Sequence, residues 1–318
     1  MPSRPKPLPL TAVILGGGKM GGEIAAVLAN GGWQVHVFEP VPASAASLPG
    51  RTRAVLAACK ARKAALPAVH ARLDAIPWKG VALVLEAVPE NLPLKRRILR
   101  AVARVAPAKA ILATNSSSLR VAEVCEGLPD GRRVAAMHWM PPVHLVPIVE
   151  VVRGPETAPA TIRRIDGWLT ALGKLPVHLD RDVPGMIVNR LQHAMMREAY
   201  DLIDRGIATP ESIDRAVQYG FGFRYVAAGP LRQRDLNGLV IHHASAAQIY
   251  PTLHVGRRPA KCLDDRVKAG QTGARAGRGF YRWDAASLAT FEKDYGRKLA
   301  AALALMGRGA PARGSRRR

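Results

Sequence analysis

The stretch LTAVILGGGKMGGEIAAVLANGGWQVHVFEP, residues 10–40, leaves this chain little freedom of fold. A short apolar strand, Ala12–Leu15, runs into Gly16, Gly18 and Gly21, spaced G-x-G-x-x-G. Met20, Ile24, Val27 and Leu28 then recur at helical spacing, and Gly31 and Gly32 stop the helix. Trp33, Val35 and Val37 alternate as a second strand that ends at Glu39. Each glycine does something a larger residue could not. Gly16 permits a tight turn, Gly18 lets backbone approach a pyrophosphate, and Gly21 lets helix and strand pack closely. The helix N-terminus offers unpaired N–H groups to phosphate. A glycine motif alone is weak, but strand, glycines, helix, strand and terminal acid together point to a bound dinucleotide. Gly16, Gly18, Lys19, Met20 and Gly21 are the expected cofactor-binding residues of this turn. Glu39 lies near the ~20-residue offset at which a carboxylate binds the ribose hydroxyls. A carboxylate there repels a 2′-phosphate, so NAD is expected rather than NADP.

The alternation continues through GVALVLEAV, a strand, and NLPLKRRILRAVARVA, a helix with Leu94, Ile98, Val102 and Val105 on one side. AKAILATN is a strand followed by the turn SSSL. RRVAAMHW, IVEVVR and LPVHL are further strands, with a helix in ETAPATIRRIDGWLTALG. Continuous apolar strands between helices predict a sheet covered on both faces. After DRDVPG the pattern becomes helical. Pro184-Gly185 opens a long helix marked by Ile187, Leu191, Met195 and Leu202 that ends near Gly206. Thr209 caps the next, and LRQRDLNGLVIHHASAAQIY and SLATFEKDYGRKLAAALALM read as one helix each. The expected fold is α/β: a Rossmann-type doubly wound sheet over residues 1–183, an all-helical C-terminal domain over 184–306 for substrate and dimerisation, and a basic disordered tail over 307–318.

Composition narrows the function classes. No apolar run reaches the ~18–20 residues of a membrane span, and MPSRPKPLPL lacks the apolar centre of a signal peptide. Cys59, Cys125 and Cys262 have no CxxC spacing, so neither a disulfide framework nor a metal site is expected. A cytoplasmic protein follows from these readings. The 47 basic against 24 acidic residues give a net charge of +23. The basic residues are spread along the chain and aromatic content is only 5%, which leaves few stacking platforms for a nucleic acid. No nucleic acid and no membrane partner is expected. The charge is read as an arginine-rich background together with an anionic small-molecule ligand.

Within AAMHWMPPVHLVPIVEVV, residues 135–152, an almost wholly apolar run carries His138 and, twelve residues on, Glu150. Burying either alone is costly. The run alone does not say what relieves that cost.

The pieces GGGKMGGEIA, LEAVPENLPLK, ATNSSSL, MHW…PIVEVVRGPET, DVPGMIVNRL, GIATPESID, GPLRQRDLNGL and GARAGRGFY occur in the order seen in one family. From Ala12 to Trp283 the chain resembles the 3-hydroxyacyl-CoA dehydrogenases and their relatives that act on free small molecules, such as carnitine and gulonate dehydrogenases. The resemblance implies an NAD-dependent oxidoreductase of fatty acid metabolism that interconverts a 3-hydroxyacyl substrate and its 3-oxo form, working as a homodimer. It implies that His138 is the catalytic base and Glu150 its partner, with Asn189 touching the histidine and substrate. Ser117 would lie between substrate and cofactor, Glu90, Lys95 and Asn115 would contact the cofactor, and Arg275 would stand near the nicotinamide. The chemistry agrees. Oxidising a secondary alcohol needs a base on the hydroxyl, and a neutral imidazole, titrating near ~6.5, suits that proton. A carboxylate on the other ring N–H fixes the tautomer and stabilises the imidazolium. His144, His178, His242 and His243 have no such support and are read as structural or surface residues.

The chain departs from the family pattern at three places. Pro141 stands where the family has an asparagine. The segment between Glu39 and Glu90 is short for the helical hairpin that grips CoA, so RAVLAACKARKAALPAVHARL is at most a trimmed version, with Lys60, Arg62 and Lys63 as phosphate contacts. GFGFRYVAAGPL is more similar to the gulonate and carnitine branch. A short-chain 3-hydroxyacyl-CoA substrate is therefore expected first and a free small hydroxy acid second. A non-catalytic dinucleotide-binding protein is third, since such a protein has no need of a base.

Overall fold

A computed structural model describes residues 9–61 and 64–307. Its first half is one eight-stranded sheet: β1 (Thr11–Leu15), β2 (Gln34–Phe38), β3 (Ala68–His70), β4 (Val81–Glu86), β5 (Ile111–Thr114), β6 (Val134–Trp139), β7 (Ile148–Arg153) and β8 (Leu175–Leu179). The strand order is β3-β2-β1-β4-β5-β6-β7-β8, parallel throughout except for the antiparallel pair β6 and β7. Helices α1 (Lys19–Asn30), α2 (Pro42–Ala58), α3 (Leu92–Ala103), the single turn α4 (Val121–Val124) and α5 (Pro159–Ala171) connect the strands. The order reverses between β1 and β4, which places a crevice at the carboxyl ends of the strands.

Period-two alternation builds a core on each face. Ile14, Val35, Val37, Leu85 and Met137 pack with Ile24 and Leu28 of α1 and Ile165 and Leu169 of α5. Val13, Leu15, Val84, Leu112, Val134 and Val152 pack with Ile98, Leu99 and Val102 of α3 and Val121 of α4. The expected doubly wound sheet is thus present. Val105, expected on the inner side of α3, lies beyond its last turn and is exposed.

The segment between β2 and β4 is as short as the sequence indicates. Among the described residues it holds one α-helix, α2, then a turn through Cys59 and Lys60, the short strand β3 and a single 3-10 turn at Leu73–Ala75. Among the described residues there is no helical hairpin in this segment. Pro49 lies inside α2, and Lys60, just past its end, takes the left-handed conformation (φ 56°).

The helical half comprises α6 (Val188–Asp204), α7 (Pro210–Arg215), α8 (Pro230–Asn237), α9 (Leu239–Ile249), α10 (Lys261–Lys268) and α11 (Ala285–Met306). The chain divides into two compact units between Arg190 and Leu191, inside the first turn of α6. Pro184-Gly185 belongs to the turn before α6, and the helix starts at Val188. The segment expected as one helix over 231–250 is two, because Gly238 at φ 87° breaks it. Residues 308–318, most of the expected basic tail, lie outside the described residues. No helix among the described residues is long and apolar enough to cross a membrane.

Candidate active site

The antiparallel pairing of β6 and β7 sets His138 directly opposite Glu150. His138 stands at the carboxyl end of β6, the same edge of the sheet from which the glycine turn leaves β1. Both side chains are buried, Glu150 completely. Nδ1 of His138 lies 2.8 Å from Oε2 of Glu150. The other carboxylate oxygen, Oε1, accepts the amides of Ile187 and Val188 at 2.9 and 3.0 Å. These amides belong to the N-terminus of α6, where the helix dipole favours an anion. Burial by itself would raise the Glu150 carboxyl, but the His138 hydrogen bond and the two amides outweigh it and hold it below the ordinary carboxylate range. An ionised Glu150 makes Nδ1 the donor and leaves Nε2 of His138 as the nitrogen free to accept a proton. Asn189 follows directly on the helix, one residue after Val188.

The loop from β6 to β7 is held from two sides. Glu23 of α1 accepts the Val143 amide at 2.7 Å. The buried ammonium of Lys174 donates to the carbonyls of Val143 and Val146 at 2.6 and 2.7 Å. Burial lowers the Lys174 pKa to about 8, against the opposing influence of Cys59. Asn115 accepts the Trp139 amide through Oδ1 at 2.8 Å, so its side chain ties the end of β5 to the residue after His138. Glu23 and Lys174 do not stand out in the sequence. They are ordinary members of helical and turn patterns, and only a lone lysine before the apolar β8 offers a signal.

The glycine turn is expected to hold a dinucleotide, and its geometry fits one. A Cβ on Gly21 would stand 1.8 Å from the carbonyl oxygen of Gly16, and Gly16 sits at φ 100°. Both positions are therefore required by the protein itself. A Cβ on Gly18 would meet nothing within 4 Å, so protein packing does not explain that glycine, whereas a close-lying pyrophosphate does. Gly18 is the N-cap of α1 and no side chain caps the helix, which leaves its first amides for phosphate. Lys19 is exposed at this turn, while Met20 packs against the core. Glu39 is buried and accepts the Gly17 amide (2.9 Å), the Val41 amide (3.0 Å) and the Ser44 hydroxyl (3.0 Å). A fixed carboxylate thus stands beside the turn, where the ribose of NAD would lie.

Glu90 and Lys95, expected cofactor contacts, are engaged with the protein. Nζ of Lys95 is buried and lies 2.8 Å from Glu86, 3.1 Å from Glu90 and 3.1 Å from the Val88 carbonyl. Thr114 donates to the second oxygen of Glu86 at 2.6 Å. Ser117 is half-buried between Ser116 and Ser118, both of which bind Glu90. Lys60 lies in an exposed turn, and Arg62 and Lys63 fall outside the described residues. Arg275 is exposed in a short turn of the second unit.

A parallel nucleotide-type sheet, a glycine turn with its terminal acid and a buried histidine–glutamate pair define the class of a dinucleotide-dependent dehydrogenase. Comparison with known proteins is specific. The NAD binding domain of 3-hydroxyacyl-CoA dehydrogenase matches residues 11–183, and the C-terminal domain of the same family matches 185–283. The chain is 31% identical over 300 residues to 5-formyl-3-hydroxy-2-methylpyridine 4-carboxylate 5-dehydrogenase of Mesorhizobium japonicum, covering 91% of this chain and 95% of that protein. A crystal structure of an enzyme of that name, described as an NAD+-dependent dismutase, superposes with a TM-score of 0.88 at 29% identity, covering 95% of this chain and all of the other. That of (S)-3-hydroxybutyryl-CoA dehydrogenase from Ralstonia eutropha gives 0.68 at 27% identity, over 86% and 99% of the two chains. The chain belongs to the 3-hydroxyacyl-CoA dehydrogenase family. It is an NAD-dependent dehydrogenase acting on hydroxyl groups.

Proposed function

We propose that this dehydrogenase acts on a free small hydroxy acid, or the hydrated form of an aldehyde acid, and not on a CoA ester. The observation that carries this reading is the single helix α2 between β2 and β3, where a CoA-gripping hairpin would be needed. The likeness to the pyridine carboxylate enzyme, closer in shape than that to the hydroxybutyryl-CoA enzyme, supports it. Pro141 supports it as well, since it carries neither the amide side chain nor the N–H of the family asparagine.

In the proposed reaction Nε2 of His138 takes the hydroxyl proton, and Glu150 stabilises the imidazolium through Nδ1. NAD, held at the Gly16–Gly21 turn and at Glu39, supplies the hydride acceptor. Ser117 and Asn189 are assigned to the substrate side of the histidine. The 3-hydroxyacyl-CoA reading, expected first from the sequence, stands second. Assays with NAD and a panel of free hydroxy and formyl acids, gulonate, carnitine and acetoacetyl-CoA decide between them. Turnover of the CoA ester far above every free acid overturns the proposal.

The second unit is proposed to form a homodimer. In this unit Leu236, Val240 and Leu305 are 80% exposed or more, and Leu191, Leu231 and Tyr250 are exposed too. Among the described residues of this unit only Ala199 and Cys262 are buried hydrophobics. Helices this apolar without a core of their own need a cover, and a second copy supplies one that is complementary in kind.

A further inference from the structure

We propose that Glu23 is a positioning residue: through the amide of Val143 it ties the loop behind His138 to the helix of the glycine turn, so that base and cofactor are held in one register. The proposal deepens the dehydrogenase reading given above and rests on it.

The need for such a tie starts in the sequence. His138 and Trp139 close β6, and the chain then runs through Met140, Pro141 and Pro142. Neither proline has an N–H, so past Met140 the first amide that can anchor the loop is that of Val143. Glu23 accepts it at 2.7 Å. Lys174 donates to the carbonyl of the same residue at 2.6 Å and to that of Val146 at 2.7 Å. The Val143 side chain is buried in the core that also holds Ile24 of α1. One loop residue is therefore gripped at its N–H by a carboxylate, at its C=O by an ammonium and at its side chain by the core. The amides of Leu145 and Val146 both donate to the Pro142 carbonyl at 2.9 Å, which makes the turn around Val143 one unit.

Glu23 differs from Lys174 in where it comes from. Lys174 directly precedes β8, so it ties the loop to the sheet. Glu23 is the fifth residue of α1, the helix whose N-cap is Gly18 and whose first amides no side chain caps. The element that presents N–H groups to the cofactor thus also grips the loop that leaves the base. Packing on α1 does not explain a carboxylate between Gly22 and Ile24, both buried, whereas the Val143 amide does. Oxidising a secondary alcohol needs the base at its oxygen and the nicotinamide at its carbon. The two are carried by different elements, β6 and the β1–α1 turn, and a misplacement of ~1 Å between them is costly. Glu23 spans these elements.

Kinetics, cofactor binding and hydrogen exchange together test this. Glu23→Ala should lower kcat and kcat/KM together by roughly 10- to 100-fold, as loss of an alignment needed in the transition state does, with the NAD Kd within about three-fold of wild type. Glu23→Gln keeps an oxygen for the Val143 amide and should restore most of that turnover. Hydrogen exchange reads the tie without any substrate. In wild type the Val143 amide should be protected, and further protected by NAD, because a ligand on the first turn of α1 suppresses the openings that free Glu23. In Glu23→Ala the same amide should exchange faster and no longer respond to NAD. Three results each overturn the proposal: a wild-type Val143 amide indifferent to NAD, normal turnover in Glu23→Ala, or a loss that Glu23→Gln does not restore. If no member of the substrate panel is turned over while Val143 responds to NAD through Glu23, the function proposed above fails and the tie stands.

Discussion

Glu150 reaches His138 with one carboxylate oxygen and the N-terminus of α6 with the other, so a single buried anion joins the candidate base to the helix that carries Asn189. The two roles separate on mutation. Glu150→Gln removes the charge that stabilises an imidazolium and should lower turnover, and the effect should largely vanish in a His138→Ala background because the pair acts as one unit. Glu150→Ala also strips two amides of their acceptor and should cost about 3–5 kcal/mol of stability, the usual result of breaking a buried pair. Chemical denaturation of both variants measures the difference, and equal stability of the two would contradict the double role.

The same group gives a pH dependence in acid. Its folded pKa is depressed below the ordinary 4.5, so its stabilising contribution is present above that value and is lost as pH falls through the folded pKa. Melting temperatures between pH 7 and pH 3 should fall more steeply for wild type than for Glu150→Gln.

Lys174 gives a slope of the same sign in base. Its folded pKa of about 8 lies under the ordinary 10.5, so between these values the unfolded chain binds the extra proton and stability rises with pH. Lys174→Gln should flatten that rise. It should also loosen residues 143–146, which lose the donor to two carbonyls, as hydrogen exchange of the loop would report.

At the cofactor turn the glycines should respond differently. Gly21→Ala places a methyl on the Gly16 carbonyl and should destabilise the fold. Gly18→Ala meets no protein atom and should fold normally while binding NAD more weakly. Glu39→Ala should weaken NAD by on the order of 1–3 kcal/mol and narrow its preference over NADP. Calorimetry with both cofactors checks each, and NADP binding as tight as NAD in wild type would contradict the role given to Glu39.

Light scattering tests the proposed dimer. Wild type should show twice the chain mass at micromolar concentration, and Leu236→Glu with Val240→Glu should shift it toward the single chain. A wild-type monomer contradicts the proposal.

Much of this architecture is legible in the sequence because it is local. The glycine turn, its helix and Glu39 lie within one short segment, and the alternation in β2 and the continuous apolar runs of β1, β4 and β6 mark buried strands without any long-range information. The placement of His138 against Glu150 follows from two apolar runs around one loop, which is the pattern of a hairpin. What stays hidden depends on backbone groups far away in sequence. The amides of Ile187 and Val188 that hold Glu150 carry no side-chain signature, and Glu23 reaches Val143 across 120 positions. Glu90 and Lys95 can be named from sequence, but their engagement with Glu86 and the serines follows only from the sheet bringing β4 and β5 together. Gly238 gives no clear stop signal because an isolated glycine is tolerated in many helices, and here its positive φ ends one.

The central claim is that His138 is the base of a hydride-transfer site built beside, and independent of, the glycine turn. It is tested most directly by His138→Gln, measured for NAD affinity by calorimetry and for turnover on the best substrate of the panel. The account predicts an NAD Kd close to wild type and turnover reduced by ~10²–10⁴, the usual worth of a positioned general base. Near-normal turnover in His138→Gln would contradict it and leave the pair with Glu150 a structural one.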